Sequence, residues 1–229
     1  MPTGGLLTGV RAVAFDAVGT LITPDPPVQA AYEAVGDRYG CRLTIHTIRA
    51  RFRIAFRAEE ERDRAAGWRT DPAREMERWR RIVAAVLDDV TDPEACFREL
   101  WDHFSRPAAW RCLPGAGPVL TELSRRGLAV GLASNFDGRL RTVVAGLPEL
   151  AAIGPIVASA DVGWRKPAAE FFTAVVRAFG CAPGEVLLVG DDFENDYAGA
   201  TAAGLRAVLL DRTGRPGTAH IAGLADLFR

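Results

Sequence analysis

Val10-Arg11-Ala12-Val13-Ala14-Phe15-Asp16-Ala17-Val18-Gly19-Thr20-Leu21 opens as an apolar run, ends that run on a carboxylate and then breaks at a glycine. The run from Val10 to Phe15 has the length and composition of a buried strand, so Asp16 would stand just beyond its carboxyl end. That edge of an open parallel sheet is where ligands gather, because strand ends and helix N-termini converge there. Asp16 is thus a candidate nucleophile. Gly19 permits close or unusual backbone geometry beside it, and Thr20 can donate to an anionic oxygen. Val18 stands two residues after Asp16, where a working acid would be useful. An aspartate that merely stabilises a turn is the structural alternative.

Three more apolar runs, Leu128 to Ala133, Val186 to Val189 and Leu205 to Leu210, read as strands of the same kind. Between them lie helical patterns. One starts at Pro114-Gly115 and ends at Arg125-Arg126-Gly127, and another runs from Pro167 to Phe179 and is closed by Gly180, with proline at the first turn and glycine at the end. This alternation predicts an α/β fold with a parallel sheet, helices on both faces and right-handed crossovers. The segment from Thr23 to Arg111 breaks the rhythm. Four candidate helices, near Pro27 to Tyr39, Thr44 to Arg64, Pro72 to Leu87 and Pro93 to Phe104, follow without a convincing strand. The expected organisation is a core of residues 1–22 and 112–229 with an inserted helical domain at 23–111. Such an insertion beside a nucleophile serves as a lid that excludes water or reads the substrate, or else only extends the core. A Gly-containing loop from Asp211 to Ala219 is expected to precede a final helix.

With 229 residues, 48% of them hydrophobic, the chain can bury a sizeable core. Its 28 basic and 29 acidic side chains leave a formal charge of -1, which gives no general grip on nucleic acid or anionic lipid. Recognition of an anion must therefore be local. Cys41, Cys96, Cys112 and Cys181 are scattered, which suits reduced thiols and a cytoplasmic location better than a disulfide framework. The stretch from Leu6 to Phe15, interrupted by Gly9 and Arg11, is too short to span a membrane.

The later strand ends carry more chemistry. In Ala133-Ser134-Asn135-Phe136-Asp137, the Ser134 hydroxyl and nearby backbone N–H groups suit a phosphoryl oxygen, with Asn135 a substrate-binding candidate; capping of the following helix is the competing use. Gly163-Trp164-Arg165-Lys166-Pro167 offers Lys166 to neutralise both Asp16 and a transferring phosphoryl group, and Arg165 reads as a solvent-facing cation. Val189-Gly190-Asp191-Asp192-Phe193-Glu194-Asn195-Asp196 supplies hard oxygen ligands for Mg²⁺. Asp191 leads as a ligand, and Asp192 either completes the site or supports it. Asp196 orients a water, Lys166 or the loop, or simply caps the helix expected near Asn195.

In order and spacing these motifs resemble those of the haloacid dehalogenase superfamily. Asp16 matches the first-motif nucleophile, Ser134 the second-motif hydroxyl, Lys166 the third-motif lysine, and Asp191 with Asp196 the fourth-motif acids. The resemblance implies a Rossmann-like core under an all-helical cap, with a small phosphorylated metabolite entering between them and Mg²⁺ as cofactor, held by Asp16, the Val18 carbonyl and Asp191 with Asp192. Phosphatases of the superfamily usually carry a second aspartate where this chain has Val18. General acid-base help of that kind contributes about 10² to 10⁴ in rate, so its absence should penalise alkyl phosphates most and acyl phosphates least. Dehalogenases of the superfamily also lack that aspartate, but they lack the metal-binding acid found here as Asp191. The resemblance therefore implies a Mg²⁺-dependent phosphohydrolase working through an aspartyl-phosphate. A non-hydrolytic phosphate-binding or protein-interaction module and a 2-haloacid dehalogenase are its rivals.

Within the insertion, Arg49, Arg53 and Arg57 share one helical face, with Phe52 and Phe56 on an adjacent stripe. Two readings stand: recognition of a phosphate-bearing or carboxylated ligand, with Arg49 and Arg53 as binding residues, or a solvated ion-pair surface with Glu59, Glu60 and Glu61. Trp68, Trp79, Trp101 and Trp110 are expected to pack the insertion or its hinge, one of them lining the entrance. His46, His103 and His220 form neither a zinc spacing nor a serine triad.

Overall fold

The computed structural model describes residues 5–229, so the first four residues of the expected core segment lie outside it. Its strands are β1 (Ala12–Phe15), β2 (Ile22–Pro24), β3 (Trp110–Cys112), β4 (Ala129–Ser134), β5 (Ile156–Ala158), β6 (Val186–Gly190), β7 (Arg206–Leu210) and β8 (His220–Ile221). Six of them form one parallel sheet in the order β5-β4-β1-β6-β7-β8, the Rossmann-like core that strand and helix alternation predicts. The helices of this part are α5 (Ala116–Arg125), α6 (Arg139–Ala145), α7 (Ser159–Val162), α8 (Ala169–Phe179) and α9 (Gly199–Ala202), while α1 to α4 belong to the insertion.

Alternation along β1 explains the two-sided burial. Side chains of a strand point to opposite faces in turn. Val13 and Phe15 join one apolar cluster with Val119, Leu123 and Leu140 from α5 and α6, whereas Ala12 and Ala14 join another with Phe171, Phe172 and Val175 of α8. The alanine face lets the bulky phenylalanines of α8 come close to the sheet. Neither face tolerates a charge; Arg11 precedes the strand, and the next charge, Asp16, falls where the strand ends.

Between β2 and β3 the chain forms α1 (Val28–Arg38), α2 (Ile45–Ala65), α3 (Pro72–Val86) and α4 (Pro93–His103), close to the predicted bounds. Thr44, Asp71 and Asp92 start the last three by accepting a bond from Thr47, Arg74 and Ala95 N–H respectively, and Pro72 and Pro93 occupy the first turn, where no N–H is needed. The four helices enclose an apolar cluster of their own, including Tyr32, Ile48, Ile82, Val86 and Leu100. β2 and β3 pair as an antiparallel ribbon where the insertion leaves and rejoins the core, with Ile22 opposite Cys112 and Pro24 opposite Trp110.

Three expectations change. β5 and β8, with three and two residues, are too short to read from periodicity. The expected final helix is instead β8 followed by a 3₁₀ segment, Leu224–Phe228, and the expected helix near Asn195 starts as a π-helical segment, Phe193–Ala198. Finally, the charged tail of α2 is not a purely solvated face. Glu59 and Asp63 are buried and four residues apart, which places them on the same side of the helix. Glu59 accepts from Arg62, Arg74 and Arg81, the last gripping both carboxylate oxygens at 2.8 and 2.9 Å.

Burial raises the Glu59 pKa, but the three guanidiniums outweigh it and hold the carboxyl down at about 2. Its native pKa lies below the unfolded one, so its stabilisation is complete above the unfolded value of 4.5 and is lost as pH falls toward 2. Glu59→Gln is expected to cost about 3 kcal/mol in urea unfolding at pH 7. The gap to wild type should narrow at pH 3. A pH-independent gap would show that packing, not charge, sets the loss.

Candidate active site

β1, β4 and β6 are neighbours at the centre of the sheet, so their carboxyl ends bring three separate motifs together. Asp16 follows β1, Ser134 ends β4 and Asp191 follows β6. Asp16 N–H still donates to Val189 O at 2.8 Å, which continues the ladder and fixes the backbone of the acid. Its Oδ1 accepts from Ser134 Oγ at 3.0 Å and from Lys166 Nζ at 2.7 Å. Oδ2 has no protein partner among the described residues and is the oxygen available to attack.

Lys166 is 2% exposed and spends its three donors on Asp16, on Asp196 Oδ1 at 2.6 Å and on Ala133 O at 2.9 Å. Burial alone would strip its proton, but the two carboxylates outweigh that and hold the ammonium charged well above the ordinary lysine range. Asn135 clamps the lysine's backbone from both sides: Lys166 N–H donates to Asn135 Oδ1 at 2.7 Å, and Asn135 Nδ2 donates to Lys166 O at 3.1 Å. Asn135 also lines the cavity described below. The substrate-binding candidate thus holds the lysine loop in register.

One oxygen each from Asp16, Asp191 and Asp196 lie within 4.8 Å of one another. Three carboxylates face a single ammonium there. Burial and the charge of Asp16 push Asp191 up to about 6, against the pull of the Thr20 hydrogen bond, and burial pushes Asp196 upward against the pull of Lys166. Excess negative charge and an all-oxygen donor set suit a hard divalent cation. Gly19, at φ +94°, makes the cluster possible, since a Cβ there would sit 2.3 Å from Asp191 Oδ2. Gly190 does the same for Asp196, with 2.2 Å to its Cγ. Both oxygens of Asp196 are already engaged, by Lys166 and by Asp192 N–H. Asp16 and Asp191 are therefore the acids best placed to ligate directly, and Asp196 holds lysine and loop.

Five predicted residues are placed otherwise than expected. Thr20 is fully buried and donates to Asp191 Oδ1 at 3.1 Å, so it aims a neighbouring acid instead of meeting a phosphoryl oxygen. Asp192 faces the cavity, but its Oδ1 caps the turn by accepting from Asn195 N–H at 2.8 Å. Arg49 and Arg53 are exposed on α2 and do not line the cavity; helical spacing put them on one face, and that face is the outer one. Arg165, read as solvent-facing, is buried and pairs with Glu75 of α3 and with Asp63 of α2 at 3.4 Å. It ties the lysine loop to the insertion.

Above the acids opens a cavity of about 350 Å³. Its floor includes Asp16, Ser134, Lys166 and Asp191, and its walls come from α1 to α4 and the β3 region, among them Tyr32, Phe52, Phe56, Trp79, Trp101 and Trp110. Val18 also lines it, 37% exposed, with a side chain that can neither give nor take a proton. Sequence reasoning missed Arg78 and Glu60 in this wall. No local pattern marks them, because the cavity is assembled from helices distant in sequence.

Comparison with known proteins supports the same grouping. Over 206 residues the chain is 28% identical to a human protein named haloacid dehalogenase-like hydrolase domain-containing protein 3, covering 88% of this chain and 82% of that one. It is 30% identical over 228 residues to a phosphoserine phosphatase of Thermus thermophilus, covering 90% and 91%. Among solved structures, a magnesium-bound hydrolase of the same superfamily from Bacillus subtilis superposes with a TM-score of 0.74 at 20% identity, covering 96% and 97%. The L-2-haloacid dehalogenase of Xanthobacter autotrophicus gives 0.75 at 21%, covering 95% and 96%. These two likenesses speak to the fold. No helix among the described residues is long and apolar enough to cross a membrane, and their cysteines are all free. Residues 10–204 match the model of the haloacid dehalogenase-like hydrolase family, and the chain belongs to that family of hydrolases.

Proposed function

We propose that the chain is a Mg²⁺-dependent phosphohydrolase acting on a small phosphorylated metabolite, with residues 23–111 serving as its cap and a cytoplasmic location that suits its free thiols. The observation that carries this reading is the Asp16 carboxylate, bonded through Oδ1 to Ser134 and Lys166 and free at Oδ2, beside the acids Asp191 and Asp196. Matches at 24–29% identity to domain-containing protein 3 from several vertebrates support placing it near that branch.

In this reading Oδ2 of Asp16 attacks phosphorus, the bond from phosphorus to the leaving oxygen breaks, and that oxygen takes its proton from water or from the substrate. Water then attacks the phosphorus of the aspartyl-phosphate, frees orthophosphate and restores the carboxylate. Lys166 offsets the charge gathered on the phosphoryl oxygens, and Ser134 can turn its hydroxyl from Asp16 to one of them. Asp16, Asp191 and the Val18 carbonyl would hold Mg²⁺, which supplies further neutralisation of that charge. Asp192, Asp196 and Thr20 keep the acids in place.

Val18 makes the leaving group decisive. Because a positioned acid contributes about 10² to 10⁴, acetyl phosphate should exceed hexyl phosphate in kcat/KM by at least about 10²-fold beyond their uncatalysed difference. Val18→Asp should narrow that margin by raising the rate on hexyl phosphate. No acceleration of hexyl phosphate by Val18→Asp would mean that another group already supplies the proton. Phosphate binding without release from any ester would favour the binding module, and chloride release from 2-chloropropionate would favour the dehalogenase.

A further inference from the structure

Arg78 of α3 is 1% exposed and lines the cavity. Its Nε donates to Asp63 Oδ2 at 3.0 Å, and its guanidinium carbon lies 4.6 Å from the centre of the Phe56 ring and 5.6 Å from that of Trp79, both cavity-wall residues. Its Nη2 is buried and has no hydrogen-bond partner among the described residues. A donor shut away from water and left unmatched is costly, and more so on a charged group. Glu60 shares the cavity wall and feels the Arg78 charge, but burial raises its pKa and it makes no hydrogen bond to Nη2, and the other neighbouring acids are committed elsewhere. Glu59 is taken by Arg62, Arg74 and Arg81, Glu75 by Arg165 and Thr70, and Asp63 is shared among Arg74, Arg78 and Arg165. Burial and the adjacent Arg165 charge work against the cation and outweigh the support it draws from Glu75 and Asp63, so an anionic acceptor at Nη2 would supply both the missing hydrogen bond and further charge balance.

The rest of the wall says what carries that acceptor. Tyr32, Phe52, Phe56, Trp79, Trp101 and Phe104 make the upper cavity aromatic, so the body of the ligand there is apolar. The acids and lysine lie at the floor. We infer that Arg78 is a specificity-determining residue that reads a carboxylate carried by the leaving group, so that the substrate class is a phosphate ester with an apolar body that bears a carboxylate. The inference rests on the phosphohydrolase reading for the phosphoryl end alone. Guanidinium and carboxylate are well matched because a charge-assisted bond is about twice as strong as a neutral one. Arg49 and Arg53, the arginines picked out by spacing, do not reach this place.

The test is calorimetric binding to the full chain with Mg²⁺ present, using ω-carboxyalkylphosphonates with two to six methylenes against methyl-terminated alkylphosphonates of matching length. A flexible series finds the reach of the site without assuming it. At the best length the carboxylate should tighten binding about tenfold, Arg78→Met should erase that gain, and Arg78→Lys should keep part of it, with phenylphosphonate affinity unchanged in both variants. Should Arg78→Met fail to fold, Arg78→Lys, which keeps a cation beside Asp63, carries the test, and an undiminished carboxylate gain in it overturns the role of Arg78. No gain from the carboxylate at any length, or a gain that survives in folded Arg78→Met, overturns the role of Arg78 and leaves the phosphoryl site standing. Failure of phenylphosphonate and of both series to bind overturns the phosphohydrolase reading, and the inference falls with it.

Discussion

Asp16→Asn is expected to lower phosphate release from acetyl phosphate roughly 10⁴-fold or more, the scale of loss when a covalent nucleophile is removed. The amide keeps the shape and can still accept from Ser134 and Lys166 through its oxygen, so the fold should survive. It presents an NH₂ group where Oδ2 stood, and that group cannot attack phosphorus. Thermal unfolding should confirm an intact protein, because the change removes one of three crowded carboxylates and leaves the Lys166 to Asp196 pair at 2.6 Å. A stopped-flow burst of leaving group in wild type, absent in the variant, would report the aspartyl-phosphate directly. Retention of more than a tenth of wild-type turnover would remove Asp16 from the nucleophile's role.

Lys166→Met combines a catalytic with a structural loss. The ammonium is the shared partner of Asp16 and Asp196, and it sits among residues with almost no access to water. Removing one partner of a buried pair costs about 3–5 kcal/mol, because the remaining charge is left uncompensated. Turnover should fall about 10³-fold, as when an electrostatic donor to the transition state is deleted. The stability loss should depend on pH with a definite sign. Asp196 already has a raised pKa, and without Lys166 it would be driven higher, so the native variant binds more protons than the unfolded chain at mildly acidic pH. Stability of Lys166→Met therefore rises as pH falls, and its gap to wild type should be smaller at pH 5 than at pH 8 in unfolding by urea. Mg²⁺ should narrow the gap at pH 8. A loss equal at both pH values and indifferent to Mg²⁺ would point to packing alone.

Legibility in the sequence differed by element. The four long-range strand partners β1, β4, β6 and β7 were readable, because strands buried on both faces must be continuously apolar. The insertion helices were readable from their caps and prolines, which act within one turn. Asp16, Ser134, Lys166 and Asp191 were found because each stands at a strand end or in a helix-opening loop. The arginines were misjudged in both directions. Arg49 and Arg53 had the right spacing for a shared face, but spacing does not say which face turns inward, while Arg78 and Arg165 sit in charged segments that look like surface. Their burial depends on Asp63 and Glu75, acids supplied by α2 and α3.

The sequence by itself determined the strands β1, β4, β6 and β7, the helices α1 to α4 and the acids that follow β1 and β6, since these follow from local patterns of apolarity, capping and chain breaking. It also determined that Val18 carries no proton. Only the tertiary structure decided which oxygen of Asp16 is free, that Thr20 serves Asp191, and that Arg78 is left with an unmatched donor in an aromatic wall. The physical reason is that hydrogen bonds and desolvation act over a few ångströms between groups far apart in the chain, such as Asp16 and Lys166. Their pairing is therefore settled when the sheet and the four helices close on each other.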